Sequence, residues 1–89
     1  MRSYTTKRFR KAFEALPAHV QRRAREAYRQ FQQNPNHPGI HFKQVHAVQS
    51  VYSVRIGLGY RALAVRDGEN LIRFWIGTHE DYERLIRTI

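Results

Sequence analysis

Residues 51–82 read VYSVRIGLGYRALAVRDGENLIRFWIGTHEDY, and this stretch decides the fold. Three strand-like runs are separated by turn signals. In the first, 51–56, Tyr52, Val54 and Ile56 alternate with Ser53 and Arg55, the period of a strand with two distinct faces. Gly57 and Gly59 permit a tight connection to the second run, 60–65. Asp67-Gly68-Glu69-Asn70 is a turn of the kind that joins antiparallel strands, and 71–76 follows, rich in branched and aromatic residues. The expectation is an antiparallel meander with Arg73 and Trp75 on one face of the last strand and Ile72, Phe74 and Ile76 on the other. Arg55, Arg61, Arg73 and His79 lie in otherwise apolar or small surroundings. An arginine in a strand is either solvated on one face or placed to meet an anion.

Upstream, Phe9, Ala12, Phe13 and Leu16 fall at the spacing of an amphipathic helix, with Thr5 or Thr6 available as its cap. Pro17 can start a second helix, in which Val20, Ala24, Ala27, Tyr28 and Phe31 share a face. The pair predicts a helical hairpin, each helix hiding its stripe against the other and against the sheet. Arg2 to Thr5 reads as a short extended segment. Residues 34–39, NPNHPG, end the helical half, and 41–45 alternates as a further strand. Tyr82, Leu85, Ile86 and Ile89 form the stripe of a short C-terminal helix. The 89 residues therefore make a single α+β domain with one modest core.

The chain has no cysteine, which excludes disulfides and thiolate metal ligands. No apolar run approaches the roughly 18 residues of a membrane helix, and the basic N-terminus lacks a signal peptide's apolar segment, so a soluble, cytoplasmic protein with no membrane partner is expected. The net charge of +9 is unevenly distributed. Residues 1–33 carry nine basic and two acidic groups (+7), residues 34–66 four and none (+4), and residues 67–89 three and five (−2). Such a domain expects a polyanion, either nucleic acid or an acidic protein. Arg22, Arg23, Arg25 and Arg29 on the second helix are either a solvated face or backbone contacts to nucleic acid.

His37, His41 and His46 invite a metal site, but Pro38 and Gly39 break any helical spacing and no acidic residue lies between 27 and 66 to complete a ligand set. No metal and no other cofactor is expected. His41, His46 and Lys43 lie on the strand that neighbours the basic meander, where they can support contacts to RNA.

The order of helical hairpin, NPxHPxxxFKxV, YSVRIGLGYRALAV, turn and FWIGTHEDYERLI resembles the RelE/ParE superfamily of bacterial toxins, the toxic halves of type II toxin–antitoxin pairs. The resemblance covers nearly the whole chain and is most specific in the GYRAL strand and the strand-Gly-Thr-His ending. It implies two N-terminal helices packed on a twisted antiparallel sheet. It also implies one of two functions: a ribosome-dependent endoribonuclease that cuts messenger RNA, or a non-enzymatic toxin that poisons DNA gyrase. An inactive relative serving as an interaction module is a third.

RNA cleavage by the neighbouring 2′-hydroxyl needs a base, an acid for the leaving 5′ oxygen and cations for the phosphate. By position, the resemblance implies Arg61 and His79 over the scissile phosphate, Tyr82 as the aromatic that stacks on a base or assists proton transfer, and Arg55 as a further phosphate contact. Arg73 joins the basic set. Each residue has a structural alternative. Arg61 could pair with Glu80 or Asp81, His79 could serve the helix start, Tyr82 could be core, and Arg73 could stack on Trp75. The implied partner is a cognate acidic antitoxin whose partly disordered segment folds along the toxin, with the apolar groove between helices and sheet as its docking site.

Overall fold

A computed structural model describes residues 2–46 and 49–88. The chain runs β1 (Arg2–Thr5), α1 (Lys7–Glu14), α2 (Ala18–Gln33), β2 (Lys43–His46), β3 (Val51–Ile56), β4 (Tyr60–Asp67), β5 (Asn70–Thr78) and α3 (His79–Ile86). One sheet holds all the strands in the order β1-β5-β4-β3-β2. The meander is antiparallel as expected, but the sheet is mixed, because β1 pairs with β5 in parallel. A pairing between the two ends of the chain leaves no local turn signal, and four residues show too little alternation to reveal it.

The helices form for the reasons their patterns give. Thr6 caps α1, its hydroxyl accepting from the Phe9 N–H at 3.1 Å. Pro17 stands one residue before α2 without a side-chain cap. Both stripes turn to the sheet, where Phe9 and Ala24 pack with Ile56, Ala62 and Ile76, and Phe31 packs with Ile40, Ala64 and Leu71. The helices meet each other, through Phe9 and Ala24 in one cluster, but pack more closely on the sheet. The close approaches of α1 are to β5 and those of α2 to β3, so the helices straddle a groove over the middle of the sheet. Arg25 bridges it from α2, with its guanidinium carbon 5.1 Å from the Phe13 ring centre.

The opposite face of the sheet carries Val51, Leu63 and Tyr82 as its buried centre, with Trp75, Phe74, Leu85 and Ile86 packed around them. Here α3 is the cover. Ile89, the last member of its expected stripe, lies outside the described residues.

One detail of β5 corrects the expected faces. The register with β4 slips, so that Leu63 stands opposite Trp75 whereas Ala64 stands opposite Arg73. Phe74 is the extra residue of a β-bulge, and the alternation of faces changes phase across it. Trp75 and Phe74 therefore share the α3 face. Arg73 does not stack on Trp75; it points to the helices, with its guanidinium carbon 3.9 Å from the Tyr28 ring centre and 5.4 Å from that of Phe9.

Candidate functional site

The site is built where β4, β5 and α3 meet. Thr78 ends β5 and caps α3, its hydroxyl accepting from the Asp81 N–H at 3.1 Å. His79 is thus the first helical residue. Its backbone N–H donates to the Gly59 carbonyl at 2.8 Å, which ties the start of α3 to the turn between β3 and β4. The imidazole Nε2 lies 3.5 Å from a Glu83 carboxylate oxygen, one turn along the helix, with both side chains nearly half exposed.

Tyr82 links His79 to Arg61. Its ring centre is 5.9 Å from that of His79, and the Arg61 guanidinium carbon is 5.5 Å from it on the sheet side. Tyr82 is only 4% exposed, so its ring is core first and a platform for these two groups second.

Arg61 is half-buried, and its Nη1 is fully buried with no hydrogen-bond partner. The alternative ion pair with Glu80 or Asp81 does not form, because Arg84 takes both carboxylates, at 2.6 and 3.6 Å. Across the ladder, Arg61 stands directly opposite Arg55. The Arg55 Nε donates to the Gly57 carbonyl at 2.9 Å, and its Nη1 lies 3.5 Å from His41 Nε2. Two guanidinium groups in one cross-strand pair repel, and an unsatisfied buried N–H is costly. A phosphate at the exposed part of the pair would relieve the repulsion, since arginine donates in a fork that matches its oxygens.

The remaining candidates divide. Lys43 is exposed on β2 directly opposite Ser53, one row along the same face. His46 turns its Nδ1 to the Gln49 N–H at 3.1 Å, which makes it a residue of the turn into β3. His37 likewise accepts from Gly39 within its own loop. Arg73 lies on the opposite face of the sheet and leaves the phosphate set.

Trp75 was missing from the candidates. Its ring lies over Gly77, which stands opposite Arg61, and a Cβ at Gly77 would meet the ring at 2.7 Å. The glycine is needed for that close approach, at the strand position opposite Arg61. A glycine two residues after the tryptophan was the available signal, but the bulge concealed the shared face.

The architecture is that of the RelE/ParE toxins. Its fold is shared by a chain of the RelB–RelE antitoxin–toxin complex from Methanococcus jannaschii, at a TM-score of 0.73 and 17% identity over 92% of this chain and 96% of that one. The isolated Escherichia coli RelE toxin follows at 0.67 and 14%, over 99% and 98%. A YoeB/ParE toxin from Agrobacterium tumefaciens matches at 0.69 and 15%, over 89% and 99%. No curated protein matches the sequence. Residues 18–84 match the ParE-like toxin domain, and the chain belongs to that family, within the RelE/ParE superfamily of toxin–antitoxin toxins.

Proposed function

We propose that the protein blocks translation as a messenger RNA endoribonuclease acting on the ribosome in the cytoplasm. The observation that carries this reading is Arg61, its Nη1 without a hydrogen-bond partner, standing opposite Arg55 and joined through the Tyr82 ring to the half-exposed imidazole of His79. The 2′-hydroxyl gives its proton to a solvent water and its oxygen attacks the neighbouring phosphorus while the bond to the 5′-oxygen breaks. Arg61 and Arg55 neutralise the charge that gathers on the phosphate oxygens, and His79 supplies the proton to the departing 5′-oxygen. Buried Tyr82 positions the two groups instead of exchanging the proton. Lys43 extends the cationic surface along the RNA, and His41 adds a ring that hydrogen-bonds. No metal or other cofactor enters these steps.

The partner in this reading is an acidic antitoxin seated in the groove between the helices and the sheet. Its apolar walls and basic surroundings support that, as does the antitoxin in the related complex.

A second reading is a non-enzymatic toxin that binds and poisons DNA gyrase. The burial of Tyr82 favours it, because this leaves His79 as the one acid–base group of the carried-over set. Induced expression with mapping of messenger ends separates the two. New RNA ends that vanish in His79→Ala and Arg61→Ala, together with growth arrest, support the nuclease. Arrest without cleavage, unaffected by His79→Ala, replaces it with the gyrase reading.

A further inference from the structure

The groove is an unusual feature for so small a domain. Interiors are packed with few voids larger than a water molecule, yet here the splayed helices leave a cavity of about 460 Å³. Its walls are mainly apolar, including Phe9, Phe13, Tyr28, Phe31, Ala62 and Leu71. Along α2 it extends from Gln21 to Phe31, ten residues or about 15 Å at the rise of an α-helix. That length suits a stretch of polypeptide better than a compact small molecule.

Arg73 is the anomaly within it. Its guanidinium lies against the Tyr28 and Phe9 rings, its Nε is buried without a hydrogen-bond partner, and no carboxylate pairs with it among the described residues. Burial pushes its pKa below the ordinary arginine value, although Tyr28 opposes the shift. A cation held on aromatic rings at the edge of an apolar groove, with donors unused, is a receptor for an anion that arrives on an apolar carrier. Arg10 and Arg25 stand on the lining with a single acidic residue, Glu14, in a chain of net charge +9. The occupant is therefore acidic.

We propose that the groove receives an apolar stretch of a partner protein that carries one carboxylate, and that Arg73 selects for that carboxylate. The proposal rests on the antitoxin reading above and adds the rule by which partners are told apart. The groove and the Arg61–His79 site lie on opposite faces of the sheet, so a peptide confined to the groove binds without competing with RNA.

The test selects binders from a random 12-residue peptide library on the unaltered protein, on Arg73→Gln and on Arg73→Lys. Amide chemical shifts of Ala27, Ala62 and Leu71 locate the bound peptide. Peptides from the unaltered protein are expected to carry an Asp or Glu flanked by apolar residues. Changing that acid to its amide should weaken binding about tenfold or more, the scale of a charge-assisted hydrogen bond. The same change should have no effect on Arg73→Gln, and Arg73→Lys should retain part of the preference. The proposal is overturned by groove-bound peptides without an acid, by an acid preference that survives in Arg73→Gln, or by a library that yields no groove binder. Laurate bound in an Arg73-dependent way while no peptide binds also overturns it, because the site then takes small carboxylates. Failure of the toxin reading appears in the arrest assay instead, which uses none of these peptides.

Discussion

Arg55 and Arg61 stand directly opposite each other on adjacent antiparallel strands, and no acidic side chain pairs with either among the described residues. Like charges in that position destabilise a sheet by about 0.2–1 kcal/mol. Arg55→Gln should accordingly raise the Tm of the protein alone while weakening RNA binding. The salt dependence should shift as well, with the slope of log K against log salt for single-stranded RNA falling by about 0.7 for the cation removed. Melting curves with and without a short RNA check both effects. An unchanged Tm together with an unchanged salt slope would show that the pair is neither strained nor used.

His79 and Tyr82 are neighbours with different duties. The half-exposed His79–Glu83 contact contributes little to stability. His79→Gln should abolish RNA cleavage while moving stability by less than about 0.5 kcal/mol. Tyr82 is buried, so Tyr82→Ala should cost about 3–5 kcal/mol, as other buried aromatic truncations do. Tyr82→Phe keeps the platform and should keep cleavage near its original rate. Loss of cleavage in a stably folded Tyr82→Phe would return the hydroxyl to the chemistry.

The difference between what was legible in the sequence and what was not follows from the range of each interaction. The stripes of α1 and α2, the Tyr82, Leu85 and Ile86 part of the α3 stripe and the alternation of β3 are set by residues close in sequence, and the structure matches them. Arg61 of the GYRAL strand and His79 of the Gly-Thr-His ending both lie near the Tyr82 ring, because His79 begins the short α3 and Arg61 reaches that helix from β4. Two features stayed hidden. The parallel pairing of β1 with β5 joins residues about seventy positions apart, such as Arg2 and Asn70, with no turn between them to announce it. The bulge at Phe74 put Trp75 on the face opposite Arg73, because one extra residue moves every later side chain to the other side.

Arg73 gives a prediction about pH. Burial disfavours its charged form, so the folded state bears a cost that the unfolded chain does not. That cost would lift only as the pH rose through the lowered pKa, and arginine remains protonated across the range in which proteins are handled. The cost is thus constant between about pH 5 and 9. Arg73→Met, which keeps the apolar contact and removes the charge, should leave stability unchanged or raised, by the same amount at both ends of that range. Denaturant melts at pH 5 and pH 8.5 check this. A large loss in Arg73→Met would mean that stacking on Tyr28 outweighs desolvation.

Gly77 and Trp75 offer an optical test of the site face. A Cβ at position 77 would lie 2.7 Å from Trp75 Cζ2 and 2.9 Å from Cη2, so in Gly77→Ala the indole must move. The ring packs, partly buried, against the cluster of Val51, Leu63 and Tyr82, where an added methyl group typically costs about 1–3 kcal/mol. Trp75 is the chain's one tryptophan, so its fluorescence reports that movement without interference. Gly77→Ala should shift the emission, lower the Tm by several degrees and weaken RNA binding, since Gly77 also stands opposite Arg61. An unchanged emission spectrum would place the ring away from Gly77 and remove Trp75 from the border of the site.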